Sequence, residues 1–289
     1  MTTLGAVFRP QLPPERLRGL ALAAEDAGLE ELWLWEDCFL ESGIATASAA
    51  LAWTRELRVG VGLLPVPLRN VALTAMEAAT LHRLFPGRAL LGVGHGVQDW
   101  MGQVGARAES PVTLLREYLQ ALRALLRGET VTTDGRYVRL DRVALDWPPT
   151  APAPVYAGAV GPRSVRLTGE AADGTVLDAG VSADGVRRAR ELIEEGRAAA
   201  GRTGPHPVVV YVHAATGPGA DARLAAELKR SGAAGRALGA AGGAERVAAE
   251  VRRLAEAGAD TVVLQPTADE PDPEGFVRFV AERVRPLVP

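Results

Sequence analysis

The pattern that most limits the fold of this chain is an eightfold alternation of short apolar runs with stretches of helical period. The apolar runs fall at 4–8, 32–35, 58–64, 89–93, 155–157, 175–177, 208–213 and 261–264. Stretches with apolar residues at helical spacing follow them at 13–27, 44–53, 71–84, 111–126, 162–172, 183–200, 245–257 and 272–284. Strands that alternate with helices are joined by right-handed crossovers and form a parallel sheet. Eight such units in 289 residues predict an α/β fold of the closed (β/α)8 barrel type. An open doubly wound sheet would have fewer strands and a glycine-rich phosphate loop after the first. Here Phe8-Arg9-Pro10 follows, without glycine. The pieces 25–34, 170–177 and 256–264 repeat one helix-turn-strand logic, and one domain over residues 1–289 is expected. Two features break the alternation. Residues 131–133 and 137–140 flank Asp134-Gly135, a tight-turn pair that predicts a hairpin. Residues 217–243, rich in Gly and Ala, read as a mobile or partly helical insertion between strand seven and helix seven.

Composition excludes several function classes. The chain is 47% hydrophobic with a net charge of −3, which gives no electrostatic case for nucleic acid or an anionic membrane surface. No apolar run approaches the roughly 20 residues of a spanning helix. The stretch Met1–Leu4 has no basic region before an apolar one, so no signal peptide is expected and the cytoplasm is the expected compartment. A single cysteine, Cys38, excludes an internal disulfide and a cysteine-built metal cage.

A barrel of this kind works at the carboxyl ends of its strands. The residues falling there are Phe8 and Arg9, then Trp35, Glu36, Asp37 and Cys38, then Gly62, Leu63 and Leu64. His95, Gly96, Gln98 and Trp100 follow strand four, and Asp178, His213 and Gln265 end strands six, seven and eight. Gly92-Val93-Gly94-His95-Gly96 lets a ligand approach the backbone closely but lacks the spacing of a dinucleotide fingerprint. A second cluster, Gly158-Ala159-Val160-Gly161, precedes a helix that opens with Pro162. Backbone amides at such a helix start can hold a phosphate. His95, His213, Asp37 and Asp178 could together ligate a metal, but each comes from a different strand and no His-x-His pair is present. His213 also reads as an ordinary rim or core histidine, and Cys38 as a small buried apolar residue.

These motifs resemble those of the bacterial luciferase-like superfamily of flavin- and deazaflavin-dependent oxidoreductases. The resemblance is carried by 31–37, 58–70, 79–88, 91–96, 158–162 and 170–174, in order along nearly the whole chain. It implies a barrel with its insertion at 217–243 and a planar isoalloxazine-type ring in the barrel mouth. It implies a non-proline cis peptide behind that ring, near Gly62-Leu63, and a cofactor phosphate on Gly158, Ala159, Val160 and Gly161. Leu64 and Gly96 would complete the cofactor site, and Asp37 would hydrogen-bond the ring or its partner. His95 becomes the candidate for proton transfer, since a histidine titrates near neutrality. Phe8, Trp35, Cys38, Trp100, Asp178 and His213 would line the substrate pocket. The cofactor implied is the deazaflavin coenzyme F420, or alternatively FMN for monooxygenase chemistry, and the implied assembly is a homodimer. Two departures stand out. Deazaflavin-dependent members usually carry Asp-His after strand two, where this chain has Asp37-Cys38. Sugar-phosphate dehydrogenases of the family carry an acidic residue where this chain has Val97. The first departure keeps open a catalytically inactive, cofactor-binding partner subunit. The apolar cast of 63–68 points to an uncharged or weakly polar substrate.

Overall fold

The computed structural model describes residues 2–289, and in it eight parallel strands close into a ring. They are β1 (Thr3–Val7), β2 (Glu31–Leu34), β3 (Arg58–Pro65), β4 (Ala89–Gly94), β5 (Val155–Gly158), β6 (Gly174–Leu177), β7 (Val208–Ala215) and β8 (Thr261–Pro266). Each pairs with the next, and β8 pairs back to β1 with Thr261 opposite Thr3, so no barrel edge is left open. Eight helices follow the strands: α1 (Leu17–Asp26), α2 (Gly43–Trp53), α3 (Val71–Leu84), α4 (Pro111–Leu126), α5 (Pro162–Ala171), α6 (Ala183–Ala199), α7 (Ala244–Glu256) and α8 (Pro273–Arg278). This is the (β/α)8 barrel that the alternation predicts. The helix starts are fixed locally. The Asn70 side chain accepts from the Ala72 amide at 2.9 Å to cap α3, and Asp272 accepts from Gly275 at 2.9 Å to cap α8. Gly28, at φ 76°, closes α1 in the left-handed conformation that favours glycine.

The two faces of each strand build two cores. Leu32 and Leu34 point outward and join the main core between barrel and helices. Trp33, between them, points inward with Leu90, Tyr156, Tyr211 and Val263. The Trp33 ring meets Tyr156 and Tyr211 edge-on, with centroids 6.4 and 5.9 Å apart. Its indole N–H donates to Glu31 at 2.7 Å, and Arg58 lies 2.8 Å from the same carboxylate. Glycines make room for these rings. A Cβ on Gly60 would lie 2.5 Å from the Trp33 indole, and one on Gly174 2.5 Å from the Tyr156 ring. The Gly-Val alternation of β3 therefore reflects space as much as strand period. The aromatic cluster fills the barrel floor and leaves the carboxyl end of the ring open.

Two elements, the hairpin and the last helix, differ from expectation, and the insertion is partly helical as expected. The hairpin strands are Val131–Asp134 and Arg139–Val143, joined by four residues rather than by an Asp-Gly turn. The Glu117 carboxylate on α4 accepts the amides of Arg136, Tyr137 and Val138, which holds the longer loop in place of a tight turn. The insertion after β7 contains a helix, Ala220–Arg230, and a two-residue strand, Ala240–Ala241, that pairs with the end of β7. The last helical stretch is α-helical to Arg278 and then π-helical over Phe279–Val284. Among the described residues no helix is long and apolar enough to cross a membrane.

Candidate functional site

The open end of the barrel holds a cavity of about 640 Å³ above the aromatic floor. Its walls come from loops that follow the strands. The end of β2 supplies Trp35, Glu36 and Asp37, and the end of β3 supplies Gly62, Leu63 and Pro65. The Gly62–Leu63 peptide is cis, where the resemblance implied one, and the β3–β4 register shifts between Val61 and Leu64. The Tyr211 hydroxyl donates to the Gly62 carbonyl at 3.2 Å. A second non-proline cis peptide, Cys38–Phe39, follows β2 and has no counterpart in the sequence expectations.

After β4 come His95, Gly96, Val97, Gln98 and Trp100, all on the wall. His95 Nε2 lies 2.9 Å from Ser164 Oγ on α5, and its buried Nδ1 has no hydrogen bond of good geometry. Burial pushes the His95 pKa down, opposed in part by the Pro111 carbonyl. The ring is therefore neutral near pH 7 and can accept a proton. Gln98 Nε2 donates to the His95 carbonyl at 3.3 Å and fixes the turn after β4.

Gly158, Ala159, Val160 and Gly161 form the opposite wall, leading into α5. Gly161 caps that helix with no side-chain hydrogen bond, so the first-turn amides keep free donors. A Cβ on Gly158 would fall 1.8 Å from Leu63 Cδ2, while Gly161 has open space around it. Free amides at a helix start, bare backbone and apolar walls suit a flat ring that carries a phosphate. Asp178 and Ala179 after β6, Tyr211 on β7 and Gln265 on β8 close the ring of residues.

Four sequence candidates lie outside this wall. Phe8 is fully buried in the main core, because strand alternation turns it toward the helices. Leu64 alternates with Leu63 and points into the same core. Cys38 is half-buried beside the wall, and burial together with Glu36 and Asp37 raises its pKa, which disfavours a thiolate. His213 is buried near Glu227, Arg9, Asp178 and Arg230, and burial lowers its pKa. Among the described residues no group of three or more His, Cys, Asp or Glu side chains is placed to hold a metal, so His95, His213, Asp37 and Asp178 do not converge. Sequence reasoning missed Ser164 and Tyr211. Tyr211 could have been found from its place two residues before His213 on one strand face. Ser164 carries no signal until α5 is set against β4.

Comparison with known proteins identifies the family and the fold. The luciferase-like monooxygenase family model matches residues 2–227. A 5,10-methylenetetrahydromethanopterin reductase from Methanolobus tindarius is 30% identical over 177 residues, 61% of this chain and 54% of that one. An F420-dependent glucose-6-phosphate dehydrogenase from Kineococcus radiotolerans is 31% identical over 206 residues, 67% of this chain and 61% of that one. The chain thus spans a little over half the length of the curated relatives it matches. A solved F420-dependent secondary alcohol dehydrogenase in complex with an F420-acetone adduct has the same fold at TM-score 0.87 and 22% identity, with 100% of this chain and 99% of that one covered. Barrel, cavity and family match together place the chain in the luciferase-like monooxygenase family.

Proposed function

We propose that the chain is an oxidoreductase that binds coenzyme F420 in this cavity and exchanges a hydride with a small organic substrate. The carrying observation is the cavity itself, an apolar cup with neutral His95 on one wall and the uncapped, glycine-lined start of α5 on the other. Relatives about 30% identical named for F420-dependent reactions support the choice of coenzyme. When bound, the coenzyme supplies or accepts the hydride. The chain's own residues do the rest. Gly158, Ala159, Val160, Gly161 and the first-turn amides of α5 would hold the phosphate. Leu63 and Trp35 bound the space for the ring and exclude water. Asp37 accepts hydrogen bonds at the rim, where Gln11 Nε2 lies 3.5 Å from Oδ2. His95, hydrogen-bonded to Ser164, takes a proton from the reacting oxygen or nitrogen at one ring nitrogen, or returns it.

Fluorescence titration of the purified protein with F420 and, separately, with FMN tests this. Micromolar binding of F420 supports the reading. Tight binding of FMN alone would redirect the assays to oxygen-dependent monooxygenation. Binding without turnover would make the chain a partner subunit, and binding of neither would overturn the proposal.

We also propose that two copies pair through the outer face of α3. Leu73, Met76 and Leu84 recur at helical spacing there and are 47%, 59% and 65% exposed. The chain's mass in solution should be that of a dimer, and a Met76→Asp variant should run as a monomer. A monomeric unmodified protein would refute the pairing.

A further inference from the structure

The cavity is lined by carboxylates and, among the described residues, by no cationic side chain. Among the described residues that line it, none is Lys or Arg, whereas Glu36, Asp37 and Asp178 are carboxylates. Arg69 neutralises Glu36 at 2.8 Å. Asp37 and Asp178 have no cationic partner among the described residues. Asp37 meets the Gln11 amide at 3.5 Å and Asp178 the Gly180 N–H at 2.9 Å. Most arginines on the surrounding loops are committed elsewhere, and Arg163, in the first turn of α5, is exposed and is not among the lining residues. Arg69 also binds Glu77, and Arg9 binds Glu227 and the Pro266 carbonyl. Arg107 binds Asp99, and Arg236 donates to the Gly180 carbonyl. Apolar groups meanwhile run from the floor to the rim, from Tyr211 and Val176 through Leu63 and Trp100 to Val97 and Val160, which are 46% and 76% exposed.

From this we infer that the substrate is uncharged and largely apolar, and that phosphorylated or carboxylated substrates are excluded. The inference rests on the oxidoreductase reading and names the substrate class of that same site. A substrate anion would leave water for an apolar cup whose lining offers no cation, and would pass half-buried Asp37 and the exposed Asp178 at its mouth. The anion-holding feature present, the start of α5, would be taken by the coenzyme's phosphate. A phosphate monoester carries close to two negative charges at neutral pH. Glucose 6-phosphate is therefore a poor ligand here, although the chain is 31% identical to a dehydrogenase named for it.

The test compares two ligands built on a methylcyclohexane ring, one neutral and one anionic, with a sugar phosphate. 4-Methylcyclohexanone, 4-methylcyclohexanecarboxylate and glucose 6-phosphate are titrated against the protein alone and with saturating F420, following tryptophan fluorescence from Trp35 and Trp100 in the wall. The ketone should bind at least tenfold more tightly than the carboxylate, and glucose 6-phosphate should give no saturable signal. Replacing Asp178 by Asn should narrow the ketone-to-carboxylate ratio several-fold. Anions binding within threefold of the ketone, or no binding of the ketone, would overturn the inference, as would an unchanged ratio in the Asp178→Asn variant. If F420 itself fails to bind, the oxidoreductase reading falls, while the ligand ratio on the protein alone still decides the charge argument.

Discussion

Neutral His95 beside Ser164 is the residue on which the proposed chemistry turns. Replacing His95 by Gln keeps a polar side chain but removes a titrating group. Turnover should fall by about 100-fold or more, the scale of general acid–base catalysis. The F420 dissociation constant should change by only a few-fold. Equal losses in both would make His95 a binding residue. Gly158 makes the second test. An Ala there would drive Leu63, 1.8 Å from the new Cβ, into the ring space. Because Leu63 can swing into the open cavity, F420 binding should be lost while the melting temperature moves little, as read by titration and calorimetry. Both glycine clusters and His95 were legible in the sequence because punctuation by glycine at a strand end is a local signal. Phe8, Leu64, Cys38 and His213 were not separable from true wall residues. Which face a rim residue shows depends on the last paired residue of its strand. That is set by tertiary packing, as the register shift between Val61 and Leu64 shows.

Elements were read more surely than residues, since apolar period is averaged over a whole helix or strand. α3 and α4 fall within the boundaries the sequence gives, 71–84 and 111–126. The hairpin loop escaped because Glu117, on a distant element, satisfies its amides. The close packing of α5 on α6 was equally hidden. A Cβ on Gly196 would fall 2.1 Å from the Arg166 carbonyl, and one on Gly169 2.1 Å from that of Ile193. Backbone cannot give way as a side-chain tip can. A Gly196→Ala variant should lose about 1–3 kcal/mol in urea unfolding, on the scale of overpacked sites. The insertion helix Ala220–Arg230 hangs on Glu227, which meets Arg9 at 2.9 Å and the Ala268 amide at 2.9 Å. Replacing Glu227 by Gln strands the Arg9 charge. Hydrogen exchange over 220–230 should accelerate on the order of 100-fold, the equivalent of about 3 kcal/mol for a broken buried pair. Unchanged exchange there would show that the insertion is held by its apolar contacts alone.

For the molecule as a whole, pH reports on burial. His206 sits beneath the barrel, 2.8 Å from Thr175, and burial with Arg197, Arg202 and Arg190 nearby lowers its pKa to about 4. The unfolded chain protonates this histidine near pH 6.5 and the folded chain does not until about pH 4. Stability is therefore full above neutrality, falls as pH drops through that window, and levels off below it, by roughly 3 kcal/mol from this group. Glu227, lowered to about 2, adds a further loss below its ordinary range. Urea midpoints measured from pH 7.5 to 4 should track this decline, and a His206→Gln variant should flatten the upper part of it. The fold class was legible at this scale because eight repeats of one unit admit few closures. The cavity's charge was not, since Glu36 is cancelled by Arg69 from a different loop. The plug of Trp33, Tyr156 and Tyr211 has a kinetic meaning as well. It closes the cup at its floor, so if the proposed coenzyme and substrate lie one above the other, the deeper one must enter first and leave last. In that arrangement the proposed turnover would follow a compulsory order of addition, and product-inhibition patterns would name the occupant of the inner berth.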